Sequence, residues 1–205
     1  LNKLKEFNEL EVDMIELRID FYENIHQEDA LRNLFLNIAA LQIQKPVILT
    51  IRTAAEGGEV EIDPKDYFNV YKLAVEANAF DIYDVELALG TNMAIELRTV
   101  DSLMQKFRSM DSLEADIMKV AVMPEDYQDL LNLLSFTVQA KHEYAQKPIV
   151  TMSMSSIGLT SRLVGEQFGS AITFASVGKA SAPGQIDYQE LNQMLDIIHK
   201  NIQEA

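Results

Sequence analysis

Residues 116–123 read Asp-Ile-Met-Lys-Val-Ala-Val-Met, a short run dense in apolar and branched side chains with one lysine, Lys119, set inside it. Runs of this length and composition belong to strands covered on both faces, as in parallel sheets. Five other segments share the pattern: 13–20 (DMIELRID), 46–52 (PVILTIR), 81–87 (DIYDVEL), 148–154 (PIVTMSM) and 171–177 (AITFASV). Their starts lie 32 to 35 residues apart, and 23 for the last interval, which is the spacing of strand–helix units and too long for hairpins. The intervening segments carry helical periodicity, as in Leu130, Leu131, Leu133 and Leu134, or Leu191, Met194, Leu195 and Ile198. Asp187 with Glu190 three residues later supplies a start signal for the last helix. Strand and helix alternate throughout, which predicts an α/β fold, either a doubly wound sheet or a (β/α)8 barrel. No linker, low-complexity stretch or close repeat divides the 205 residues, so a single domain spanning 1–205 is expected.

Charge narrows the partners. With 32 acidic and 17 basic residues the net charge is −15, which repels phosphate backbones and anionic membrane surfaces. Neither nucleic acid nor a membrane is expected as a partner, although a small anionic substrate needs only one or two well-held arginines. The chain has no cysteine, so disulfides, thiolate nucleophiles and cysteine-ligated metals are excluded; this fits a cytoplasmic protein. No stretch approaches the roughly 18 uninterrupted apolar residues of a membrane helix. The chain opens on Leu1 rather than methionine, so residues are expected to precede it.

Charged side chains inside apolar runs are the anomaly, because a buried charge is costly unless it is paired or used. Glu16 and Arg18, two apart on a strand, point to one side and either pair there or face water from an edge strand. Arg52 closes the second strand, with Glu56 four residues on, just before Gly57-Gly58; alone, such a segment is an ordinary loop. Lys119 is the sharpest case. Desolvated in a core, its pKa would fall by as much as ~3–5 units, leaving a neutral amine able to attack a carbonyl; the alternative is a lysine that snorkels out or pairs with a carboxylate such as Glu86. Two donor-rich loops follow the later strands. One carries Ser153, Ser155, Ser156, Ser161 and Arg162, the other Lys179 to Gln185, at the strand ends where barrel enzymes place their sites.

These segments, ELR at 16–18, IRTAAEGGE at 51–59, DVEL at 84–87, DIMKVAVMP at 116–124 and TMSMSSIGLTSRLVGEQFGSAITFASVGKASAPGQI at 151–186, resemble type I 3-dehydroquinate dehydratase in unbroken order. The resemblance implies a (β/α)8 TIM barrel, usually a homodimer, that dehydrates 3-dehydroquinate to 3-dehydroshikimate in the shikimate pathway of aromatic amino-acid biosynthesis, with no metal or organic cofactor. It implies Lys119 as the Schiff-base lysine and Glu56 as the acid of an Arg-Thr-x-x-Glu-Gly-Gly motif. Glu16, Arg18, Arg52, Arg162, Ser181 and Gln185 are implied as substrate-binding residues, the last two on a closing lid. The chemistry wants such groups: an iminium on lysine is an electron sink for removal of the neighbouring proton, and clamps fix the substrate's orientation. Another class I Schiff-base barrel, such as an aldolase, shares the strand lysine but not the SAPGQ segment.

The sequence also departs from the family. Only six of eight strands are placed, the first expected before Leu1 and a second missing between DVEL and the lysine strand. That second segment carries the family's acid–base histidine, and none of His26, His142 and His199 occupies its position. About twenty residues are wanted near Thr99–Val100, and Met93, Leu97, Val100, Met104 and Phe107 read across the join as one amphipathic helix. The expectation is that the numbering omits a loop there; the competing reading is a family member that lacks the histidine and is catalytically impaired.

Overall fold

The computed structural model describes residues 1–87, 99–144 and 146–203, and its chain divides into two compact units, Leu1–Asn92 and Met93–Ala205. In the first, α1 (Asn2–Asn8) precedes β1 (Ile15–Arg18), α2 (Glu28–Ala39), β2 (Val47–Thr50), α3 (Pro64–Ala77) and β3 (Ile82–Asp84). The strands form one parallel sheet in the order β1-β2-β3, each joined to the next through a helix. Alternation along the strands then sorts the side chains. Ile15, Leu17, Val47, Leu49 and Tyr83 pack with Leu31, Phe35 and Ile38 of α2 and Tyr67, Val70 and Leu73 of α3. Glu16, Arg18, Thr50 and Asp84 therefore share the other face, with Arg18, Thr50 and Asp84 in register across the sheet. Helix α3 is capped by Asp63, whose carboxylate accepts the Asp66 N–H at 2.9 Å, and Pro64 takes the first helical position.

The second unit contains α4 (Val100–Asp111), β4 (Met118–Val122), α5 (Tyr127–Glu143), β5 (Ile149–Ser153), α6 (Leu159–Phe168) and α7 (Tyr188–Gln203). Strands β4 and β5 pair in parallel, Lys119 opposite Val150 and Ala121 opposite Met152. Met118, Val120, Val122 and Ile149 face the helices and pack with Leu103, Phe107, Leu133 and Phe136; Lys119 points the other way. The Asp187 carboxylate accepts the Gln189 N–H at 3.0 Å, capping α7 at the expected start. Among the described residues, no helix is long and apolar enough to cross a membrane.

One expectation is corrected. Residues 171–177 do not form a sixth strand. The Ala171 N–H reaches Ile149 O at 2.8 Å, but Ser176 then pairs with 186–188, its N–H on Ile186 O at 2.8 Å and its carbonyl accepting from Tyr188 at 3.0 Å. With those groups engaged by the loop, no ladder forms along β5. Thr99 caps α4 from an extended conformation, its hydroxyl accepting the Ser102 N–H at 3.1 Å while its carbonyl accepts the Leu103 N–H at 3.1 Å. That extended cap marks where α4 begins; Met93 and Leu97, which shared its apolar spacing, lie outside the described residues.

Candidate active site

At the C-terminal ends of β1–β3 the polar face becomes a charge network. Thr50 donates its hydroxyl to Glu16 Oε1 at 2.8 Å. Arg18 grips Asp20 with Nε and Nη2, each at 2.7 Å, and lies 5.0 Å from the Phe21 ring centre. Asp20 also accepts the Arg52 and Glu59 N–H groups, both at 3.3 Å. Burial alone would raise its pKa, but the Arg18 contact and these N–H groups hold the carboxyl below the ordinary range.

Arg52 is the hub, with Glu56 at 2.7 Å and Glu86 and Asp84 each at 3.1 Å. Burial works against its charge; the three carboxylates outweigh that and raise its pKa. Glu86, buried, accepts the Thr53 N–H at 2.8 Å and hydroxyl at 2.7 Å, yet burial prevails and pushes its carboxyl up. Two tyrosines one helical turn apart on α3 hold the strand ends. The Tyr67 hydroxyl accepts the Glu86 N–H at 2.9 Å, and Tyr71 donates to Asp84 O while accepting the Ile51 N–H at 3.3 Å. Burial pushes Tyr67 up to about 12, so it stays a neutral acceptor and donor.

In the second unit Lys119 Nζ lies 4.5 Å from the centre of the Phe174 ring. Arg162, only 2% exposed, donates from Nη1 to Phe174 O at 3.4 Å and approaches Met152 Sδ at 3.8 Å, while Nη2 donates to Pro183 O at 3.2 Å. Its Nε has no partner, and burial lowers its pKa. Gln185 Oε1 accepts the Ser181 N–H at 2.7 Å, the Ser181 hydroxyl at 3.2 Å and the Ala182 N–H at 3.2 Å, folding the Ser181–Gln185 loop on itself.

Glu16, Arg18, Arg52 and Glu56 thus gather on the first unit, and Lys119, Arg162, Ser181 and Gln185 on the second. Asp20, Asp84, Tyr67, Tyr71 and Phe174 were not singled out from sequence. Asp84, within an apolar run, carried the same signal as Glu86; Tyr67 and Tyr71 gave none, since a buried tyrosine pair reads as core. The histidines are elsewhere: His142 is exposed on α5, and His199 Nδ1 pairs with Glu166 at 2.6 Å. His26, also exposed, lines a hollow of about 300 Å³ beside Asp20, Phe21 and Glu59. That hollow holds Arg18's partner but not Arg52, so the charge network locates the site better than concavity does.

Parallel strand–helix units with polar groups at the C-terminal strand ends and a lysine on the face turned from the helices define an α/β enzyme of the (β/α)8-barrel class; the described strands form a three-stranded and a two-stranded sheet. The chain belongs to the type I 3-dehydroquinase family, a family of hydro-lyases, whose model matches residues 1–102 and 91–202. A 3-dehydroquinate dehydratase of Bacillus licheniformis is 38% identical over 227 positions, covering 98% of this chain and 89% of that protein. That of Salmonella typhimurium is 37% identical over 215 positions, with 95% and 85% covered. Among solved structures, the type I enzyme of Clostridium difficile, with covalently modified comenic acid, superposes with a TM-score of 0.88 at 33% identity, covering 98% of this chain and 87% of that one. The enzyme of Geobacillus kaustophilus gives 0.86 at 30%, covering 96% and 86%. The match to the family model breaks at 91–102. In the Bacillus alignment, 98% of 205 residues is about 201, leaving about 26 of 227 positions without a counterpart here.

Proposed function

We propose that the protein dehydrates 3-dehydroquinate to 3-dehydroshikimate through a Schiff base on Lys119, as a step of the shikimate pathway. The observation that carries the reading is the pairing, around Phe174, of a strand amine with a buried guanidinium that has no carboxylate partner among the described residues. A buried, unpaired arginine is costly, and an anionic ligand would offset that cost; the substrate's carboxylate has the right charge and bidentate shape. In this reading the Lys119 amine attacks the ketone and water departs to leave the iminium; the neighbouring proton is then removed with the iminium as electron sink, the hydroxyl of the tertiary carbon leaves as a second water to form the double bond, and hydrolysis of the iminium frees product and lysine. Arg162 clamps the carboxylate, while Glu16, Arg18, Arg52, Ser181 and Gln185 orient the hydroxyl groups and Glu56 serves as the acid beside Arg52. The enzyme works in the cytoplasm as a homodimer and without metal or organic cofactor. Covalent modification of a ligand in the Clostridium difficile structure supports the adduct. Borohydride added with 3-dehydroquinate should trap a mass increase on Lys119, and Lys119→Ala should abolish it; an adduct surviving in that variant would sink the assignment.

A second reading is favoured by the break in the family match at 91–102 and by the lack of any histidine between His26 and His142. A chain without the acid–base group would form the iminium and release product slowly, with a deficit on the order of 10²–10⁴-fold. The rate at which the conjugated product's absorbance grows, set against adduct formation, separates the two.

A further inference from the structure

Ser155 holds a backbone φ of +59°, a left-handed conformation that a residue with a side chain adopts at a cost. Its N–H donates to Pro183 O at 3.3 Å, the same carbonyl that accepts Arg162 Nη2 at 3.2 Å. The next residue, Gly184, has φ +77°, and a Cβ built there would lie 2.4 Å from Ser155 O. Three independent features, a strained serine, a shared acceptor and a glycine with no room for a side chain, therefore meet at one point between the loop after β5 and the Ser181–Gln185 loop.

We propose that Ser155 and Gly184 are positioning residues, a backbone latch that seats the Ser181–Gln185 loop on Arg162 and fixes the guanidinium for an anionic substrate. Of the arginine's five N–H donors, one on Nη1 is held by Phe174 O and one on Nη2 by Pro183 O, which orients the unpartnered Nε and the remaining Nη hydrogens for a bidentate ligand. The latch runs through main-chain atoms. The identity of residue 155 matters only through its N–H and its ability to stay left-handed, whereas residue 184 must be glycine for the loops to approach. The proposal rests on the reading of Arg162 as the carboxylate clamp.

Two readouts test it in the full chain. Lys179 is exposed beside the loop, so trypsin cleavage at that residue, without ligand, reports whether the loop is seated. Gly184→Ala and Ser155→Pro should be cut roughly tenfold faster than wild type at unchanged Tm, and Ser155→Gly, which keeps the N–H and φ, should be cut within about twofold of it. The 3-dehydroquinate concentration that half-saturates borohydride labelling of Lys119 should rise roughly tenfold in Gly184→Ala, the maximal labelling rate being retained. Should Gly184→Ala fail to fold, Ser155→Pro against Ser155→Gly gives the same contrast. Wild-type cleavage in both Gly184→Ala and Ser155→Pro would overturn the latch. If Arg162→Ala raises the half-saturating concentration and Gly184→Ala does not, the latch fails while the clamp stands; if neither moves it, the clamp itself is wrong.

Discussion

Arg52 has carboxylates of Glu56, Asp84 and Glu86 within 3.1 Å, and such a cluster is stable only because the arginine neutralises charges that would otherwise repel in a half-buried site. Asp20 is a simpler case. Its side chain is fully covered and clasped by Arg18, and its pKa is lowered. The unfolded chain takes up a proton on Asp20 near 3.8 while the folded one still resists it, so the stabilisation is present above that pH and is lost as pH falls through the lower folded value. Urea unfolding of wild type and Asp20→Asn from pH 6 to pH 3 should show a smaller acid-side loss in the variant, whose group does not titrate. At pH 7 Asp20→Ala should cost roughly 3 kcal/mol, because the bidentate Arg18 contact and the two backbone N–H bonds to the covered carboxylate are lost together.

At the scale of elements, β4 and β5 show how one strand serves two purposes. Met118, Val120 and Val122 build the helix-side core while Lys119, between them in sequence, belongs to the opposite face. The helix side is held by α4 and α5, where Phe107 meets Phe136 edge-on at 4.8 Å, and by the buried Thr137 and Thr151 hydroxyls, 2.7 Å apart. Phe107→Ala should cost about 3–5 kcal/mol in denaturant unfolding, the range for emptying a packed aromatic site. A helix start was legible in sequence where a short polar residue precedes the periodic run, as at Asp187. The Thr99 cap was not, because Met93, Leu97 and Val100 continue the apolar spacing across it; periodicity records which side chains could share a face and is silent on where the backbone turns extended.

For the whole molecule, 15 uncompensated negative charges make folding oppose a general repulsion that salt screens, so Tm should rise between about 0.01 and 0.3 M sodium chloride; a flat dependence would show the excess to be dissipated locally. The α/β class and five of the strands were readable from sequence, since parallel strands announce themselves as apolar runs; Glu16, Arg18, Arg52 and Lys119 stood out as charges within them, whereas Glu56, Arg162, Ser181 and Gln185 became candidates only through the family resemblance. By itself the sequence determined the alternation of strand and helix, the family and the absence of a histidine between His26 and His142. Only the tertiary structure decided that Ser176 spends its hydrogen bonds on 186–188, that Thr99 caps α4, that Asp20, Asp84 and Tyr67 complete the polar network of the first unit, and that Phe174 lies against Lys119 in the second. The physical reason is that a partner is chosen by distance in space. Side-chain type reveals that a charge must be answered, and only folding reveals which neighbour answers it.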